Sequence, residues 1–220
     1  MSQEVKIASS QEELCRIYLL RYAVYIEEMG FPFPLADHEK RMLYDEYDDW
    51  AIHFYIDNIE TDDVYGIYRL NLLKFGEVLP ELESRYCISA FKNLGLQASY
   101  SSKLMTHISQ RNLCNVSLLL RKVFEYGVDR EYFLNFIDCS PDLVPFYERI
   151  GFRKYYSNFT DAVLGEKIPM VLFVKDIEHL KAMKSPLYKI CLEKGVKNED
   201  YSLWLENNFN MVQQETSIIS

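Results

Sequence analysis

Residues 145–152 read PFYERIGF: a proline, two aromatics, a charged pair, and a glycine followed by another aromatic. Proline near a helix start and glycine just past its end are the punctuation of a short helix. The segment Asp142 to Ile150 is therefore expected to be helical, opening after Ser140 and Pro141 and stopping at Gly151. Upstream, EYFLNFID (131–138) is a compact apolar run suited to a strand buried on both faces. Downstream, FRKYYS and IPMVLFV read as two more strands.

Working outward, NVSLLLRKVFEYGV (115–128) carries Val116, Leu119, Leu120, Val123 and Val128 at helical spacing, and SYSSKLMTH (99–107) reads as a strand. AIHFYI (51–56) and VYGIYRLNLL (64–73) flank the polar turn DNIETDD and predict a hairpin. Residues 76–97 read as a loop with a short helix. EVKIA (4–8) is a short first strand, and Ser9 or Ser10 caps a helix that runs through LCRIYLLRYAVYIEEM until Gly30 stops it. GFPFPLAD (30–37) is a proline-bearing loop, and after Asp176 the chain turns helical with a break at Ser185 and Pro186. The last ten residues, MVQQETSIIS, carry little pattern. The order β, α, β, β, β, α, β, α, β, β implies one mixed sheet with helices on its faces.

Composition narrows the function. The formal charge of −9 disfavours nucleic acid as a partner. Charge is also uneven: Glu27 to Asp63 holds twelve acidic residues against Lys40 and Arg41, a net of −10, whereas Lys103 to Lys154 holds eight basic against six acidic, a net of +2. Only the later stretch offers a basic face to an acidic partner. Five irregularly spaced cysteines without a CxxC pair read as reduced thiols, and the four histidines show no ligand spacing, so no metal is expected. No apolar run approaches a transmembrane length and no basic-then-apolar leader opens the chain, which predicts a cytoplasmic protein.

FYERIGF, placed after the fifth strand of this order, resembles the GNAT superfamily of acyltransferases. The resemblance covers residues from about 4 to about 180 and implies an α/β (mixed α+β) fold, a three-layer α/β/α arrangement around a central mixed, splayed sheet of about seven strands. Residues 1–180 then form the N-acyltransferase domain and 181–220 a helical extension and tail. Arg21, Tyr25 and Glu28 in RYAVYIEE, Asp45, Tyr47 and Asp48 in DEYD, and Arg69 in YGIYRLN sharpen the match. Together they resemble the subgroup of acyl-homoserine lactone autoinducer synthases and long-chain N-acyl amino acid synthases. FYERIGF, PMVLF and DIEHLKAMKSP look closer to the N-acyl amino acid synthases.

Acyl transfer from a thioester to an amine needs a neutral amine, a place for charge on the carbonyl oxygen, and a proton for the leaving sulfur. The resemblance implies Tyr147 as that acid, and it implies backbone N–H groups of Leu104, Met105, Thr106 and His107 for the carbonyl oxygen. His107, whose side chain titrates near about 6.5 when unperturbed, and Glu28 are candidate bases. The family's Arg-x-x-Gly-x-Gly/Ala loop, which lets a diphosphate approach a helix N-terminus, is here Arg111-Asn112-Leu113-Cys114-Asn115-Val116. The arginine is present and the glycines are not, so Cys114 and Val116 narrow the approach. That departure favours the single phosphate of an acyl carrier protein's phosphopantetheine arm over coenzyme A, with no permanently bound cofactor. Arg111, Arg121, Lys122, Arg149, Arg153 and Lys154 are the candidate basic contacts for such an acidic carrier.

Asp45 and Asp48, three residues apart, are expected on one side of a turn, and the resemblance links them with Arg21 and Arg69 into one charge network. These four either hold the acceptor, a small amine or amino acid, or pair with one another to fix the N-terminal helices over the sheet. Tyr22, Tyr25, Phe31 and Phe33 either line an acyl pocket or form plain core. Trp204, Leu205 and Phe209 in the extension either cover the acyl chain or mediate self-association. Beside the N-acyl amino acid synthase stand three alternatives: an autoinducer synthase using S-adenosylmethionine, a coenzyme A-dependent acetyltransferase, and a silent acyl-binding module.

Overall fold

The computed structural model describes residues 4–57 and 63–209. Most of the hairpin turn DNIETDD, and the final stretch MVQQETSIIS, lie outside the described residues. The described elements are β1 (Val5–Ile7), α1 (Gln11–Tyr22), β2 (Ala51–Asp57), β3 (Val64–Leu73), α2 (Pro80–Tyr86), β4 (Gln97–Thr106), α3 (Leu113–Val128), β5 (Tyr132–Cys139), α4 (Val144–Ile150), β6 (Arg153–Lys154), β7 (Phe159–Asp161), β8 (Gly165–Phe173), α5 (Ile177–Ala182), α6 (Tyr188–Glu193) and α7 (Ser202–Phe209). The strand order is β1-β2-β3-β4-β5-β8-β6, with β7 on β8, an open mixed sheet of eight strands. The extra strand arises because the expected FRKYYS strand is only two residues long and β7 pairs separately with β8 from Phe159 to Asp161.

The chain divides into two compact units. One comprises the chain through Asn71 with Ser101–Tyr126, the other Leu72–Tyr100 with the chain from Gly127 onward.

In the first unit, Ser10 begins α1 with a capping box: its Oγ accepts from Glu13 N at 3.2 Å, and Glu13 Oε2 accepts from Ser10 N at 2.9 Å. Regular helix was expected as far as Met29, but the chain widens to a π turn over Ala23–Glu28, and Met29 N donates to Val24 O at 3.0 Å. Such single-turn widenings insert a residue and re-aim the side chains they carry. Here they set Tyr25 against Phe33, ring centroids 5.2 Å apart, and Glu28 against Arg111. The α1 face made of Ile17, Tyr18, Leu20 and Val24 buries itself on Tyr55, Ile67 and Met105 of the sheet. Each aliphatic side chain so covered contributes about 1.5–3 kcal/mol. On the opposite face α3 crosses Gly66, where a Cβ would stand 3.1 Å from Leu119 and 3.2 Å from Thr106. That glycine lets the helix approach β3 closely.

In the second unit, β4 pairs in parallel with β5 over Gln97–Tyr100 and Tyr132–Phe136, and β5 pairs antiparallel with β8. The helix expected from Asp142 is a 3₁₀ turn, Pro141–Leu143, leading into α4, which ends at Gly151 with φ 119°. A side chain there would also collide with Leu180. Phe91, Phe136, Tyr155 and Phe173 form an aromatic core closed by α7, whose Trp204 and Phe209 lie 4.9 Å and 5.4 Å from Phe91. Trp204 and Phe209, expected to cover an acyl chain or to mediate self-association, thus pack on the aromatic core of this unit.

Candidate active site

Asp45 and Asp48 open the 3₁₀ turn Glu46–Trp50. Asp45 Oδ1 accepts from Tyr47 N at 3.1 Å, and Asp48 Oδ2 accepts from Asp45 N at 2.8 Å. This reciprocal cap puts both carboxylates on one side, as their spacing suggests. Both face Arg69: its Nη1 donates to Asp48 Oδ1 at 2.8 Å and to Asp45 Oδ1, while Nε donates to Ser102 Oγ at 2.9 Å. Arg21 Nη1 reaches the two Asp48 oxygens at 2.8 Å and 2.7 Å, and its Nη2 meets His53 Nδ1 at 3.3 Å. Arg21 is 1% exposed and Arg69 2%, so these are desolvated charge pairs, not surface bridges.

The titration behaviour follows from that geometry. Burial opposes ionisation of Asp48, but Arg21 and Arg69 outweigh it and hold its pKa down to about 2. Burial, seconded by Arg21, pushes His53 down to about 4. Because a guanidinium only donates, His53 Nδ1 is the acceptor of a neutral ring.

Two members of the cluster escaped sequence reading. His53 stands opposite Arg69 in the β2–β3 register. Lys103 sits in β4 with φ 59°, a left-handed residue that breaks the strand's alternation. Its Nζ lies 3.5 Å from Asp45 Oδ2 and over the rings of Tyr25 and Phe33, at 5.2 Å and 5.6 Å. Burial lowers its pKa to about 8, so it is largely charged at neutral pH. Arg21, Arg69 and Lys103 against Asp45 and Asp48 leave the cluster one positive charge in excess.

The donor-side candidates lie in the same unit. Leu104, Met105 and Thr106 end β4, with Met105 and Thr106 buried. Asn112 Oδ1 accepts from Asn115 N at 2.9 Å and so caps α3; Cys114 is exposed and Val116 half-buried on its first turn. Arg111 and Glu28, expected in separate roles, are paired at 2.8 Å. His107 Nδ1 accepts from Ser109 N at 3.2 Å, which leaves the ring proton of the neutral form on Nε2. The lone pair a base would use is therefore engaged in capping a turn. His107 and Ser109 also line a cavity of about 380 Å³, with Arg16, Tyr22, Arg41 and Tyr65 among its walls.

Tyr147 is in the second unit, on α4, and is 9% exposed. Its ring packs edge-on to Phe146 and Phe152, centroids 5.0 Å and 5.7 Å away. Among the described residues no group of three His, Cys, Asp or Glu side chains is arranged to hold a metal, and no helix is long and apolar enough to cross a membrane.

Comparison with known proteins fits this architecture. Residues 20–120 match the acetyltransferase (GNAT) domain model. The structure superposes on FeeM, an N-acyl amino acid synthase from uncultured soil microbes, with a TM-score of 0.61 and 15% identity, covering 86% of this chain and 99% of that one. The fold is GNAT-like. A second structural neighbour is BjaI, a CoA-dependent acyl-homoserine lactone synthase, with a TM-score of 0.60 and 16% identity over 90% of this chain and 94% of that one. In sequence, L-ornithine N(alpha)-acyltransferase of Rhodobacter capsulatus is 33% identical over 104 residues, 45% of this chain. The matched stretch spans only 39% of that relative's length.

Proposed function

We propose that this chain is an N-acyltransferase that moves a fatty acyl group from an acyl carrier protein thioester to the amine of an amino acid or similar small amine. The observation that carries the reading is the buried cluster of Arg21, Asp45, Asp48, Arg69 and Lys103 with its surplus positive charge. An acceptor bearing a carboxylate balances that charge, and every α-amino acid bears one. Ornithine is the first acceptor to try, since a relative matching part of the chain is named for it.

Chemistry is direct: the amine nitrogen bonds to the thioester carbon, the C–S bond breaks, and the thiolate leaves with a proton that Tyr147 supplies. Backbone N–H groups of Leu104 to Thr106 receive the carbonyl oxygen, since that of His107 donates to Tyr65 O at 2.8 Å. Of the two candidate bases, Glu28 is paired with Arg111 and His107 caps a turn, so either must first release its partner. A carrier protein is favoured over coenzyme A by the glycine-free loop. Beside Arg111, Ile108 is 61% and Leu113 81% exposed, an apolar and basic rim suited to a small acidic protein. The reading places the enzyme in the cytoplasm, where carrier-bound acyl chains are made.

The test is mass spectrometry of organic extracts from cells overproducing the wild-type chain and Tyr147→Phe. An N-acyl amino acid is expected with the wild type and reduced on the order of 100-fold with the variant, the contribution of a positioned acid. An N-acyl homoserine lactone would establish the autoinducer synthase instead, and an unaltered yield from Tyr147→Phe would remove the acid role.

A further inference from the structure

The second unit holds a carboxylate that the reading above does not use. Asp138 is half-buried on β5, two residues beyond Phe136, the last β5 residue paired with β4. It therefore stands at the carboxyl end of a parallel strand pair, the end at which open α/β sheets take their ligands. Two phenols converge on one of its oxygens: Tyr86 donates to Oδ1, and Tyr100 Oη lies 3.4 Å from the same atom. Tyr86 is fully buried, and its backbone carbonyl accepts from Tyr155 Oη at 2.6 Å, so the donor is held rigidly. Among the described residues no lysine, arginine or histidine pairs with Asp138, and Oδ2 receives no hydrogen bond. Oδ2 is also not a buried orphan, so it reaches solvent.

The phenol that donates to this acid sits in an aromatic cluster. Tyr86 lies 5.4 Å from Tyr100, 6.4 Å from Phe136 and 6.1 Å from Phe159, centroid to centroid. The two phenols occupy one oxygen of the carboxylate and carry no charge of their own, which leaves its negative charge for a cation. The combination suits a primary ammonium group.

We infer that Asp138, held by the hydroxyls of Tyr86 and Tyr100, is a binding site for the ammonium group of a small amine. The inference goes beyond the proposed transfer reaction and does not depend on turnover. Asp138 is a binding residue here, holding charge through Oδ2 while Oδ1 stays on the tyrosines.

Calorimetric titration of the full chain and of Asp138→Asn tests it, with no acyl donor present. The probes are norvaline, which has only an α-ammonium, 5-aminopentanoate, which has only a distal one, and pentanoate, which has neither. Asparagine keeps the shape and the acceptor oxygen for both phenols, so the fold is preserved. At least one ammonium-bearing probe is expected to bind the wild type and to weaken tenfold or more in Asp138→Asn, with recovery in Asp138→Glu. Pentanoate is expected to distinguish none of the three proteins. The probe that weakens says which ammonium is held. Equal affinities in wild type and Asp138→Asn, no binding of either amine to the wild type, or an equal loss for pentanoate would overturn the assignment. The product assay on the wild type is separate, so failure of transfer and failure of this site are distinguishable.

Discussion

Replacing Asp48 by asparagine removes one charge from the centre of the buried cluster and leaves its shape. Two guanidiniums then lose the carboxylate they share, Arg21 at 2.7 Å and 2.8 Å and Arg69 at 2.8 Å. The depression of Asp48 from 3.8 to about 2 is worth about 2 kcal/mol at 1.36 kcal/mol for each pKa unit. Stranding a buried partner charge costs about 3–5 kcal/mol. A loss of about 2–5 kcal/mol is therefore expected, which for a chain of this size lowers the melting temperature by about 4–20 °C. Asp45→Asn is the control: that side chain is 28% exposed, and Asp48 remains beside Arg69, so a shift of only a few degrees is expected. The sign with pH follows from the direction of the shift. A depressed carboxyl gives stability present above its unfolded pKa and lost as pH falls from about 4 to about 2. The difference between wild-type and Asp48→Asn melting temperatures should therefore shrink across that window. A melting temperature within about 2 °C of wild type at neutral pH would refute the reasoning, because it would mean the cluster is hydrated.

His53, held neutral with its folded pKa near 4, contributes stability that is present above the unfolded value of about 6.5 and is lost as pH falls toward 4. Melting curves of the wild type should lose up to roughly 3 kcal/mol over that range, and His53→Asn should lose this part of the slope; parallel curves would show that the ring is exposed to water. For the donor side, Arg111→Glu combined with Arg121→Glu should weaken binding of an acyl carrier protein, and more so at low salt, measured by surface-immobilised titration at two ionic strengths. Unchanged binding would take that patch out of the docking surface.

The alternation of strands and helices was readable because each element carries its own period, and the charge cluster was readable because its four main members sit in separate, recognisable motifs. What escaped depends on pairing across the chain. His53 looks like an isolated histidine in AIHFYI until register sets it opposite Arg69. Lys103 looks like a surface lysine in SYSSKLMT, and only a left-handed residue in mid-strand turns it toward Asp45, Tyr25 and Phe33. Asp138 needed Tyr86 and Tyr100, 52 and 38 residues away, to become a fixed acid. The ion pair of Glu28 with Arg111 spans 83 residues and has no local signature.

That last pair bears on the donor. A phosphate recruited to Arg111 competes with Glu28 for the guanidinium, and the arginine side chain is 52% exposed, the glutamate 24%. An ion pair so open to water is worth about 0–1 kcal/mol, so a phosphodiester displaces it at small cost. In the proposed mechanism that displacement would also free the Glu28 carboxylate when a donor arrives. A base that is masked until the thioester is bound would not consume protons from the empty site. The arrangement needs only one phosphate at the start of α3, where Asn112 already caps the first turn and Cys114 and Val116 occupy the glycine positions through which a diphosphate would approach. In the reading proposed above, the glycine-free loop is what points to a single-phosphate arm, and the ion pair would yield to the phosphate of either donor.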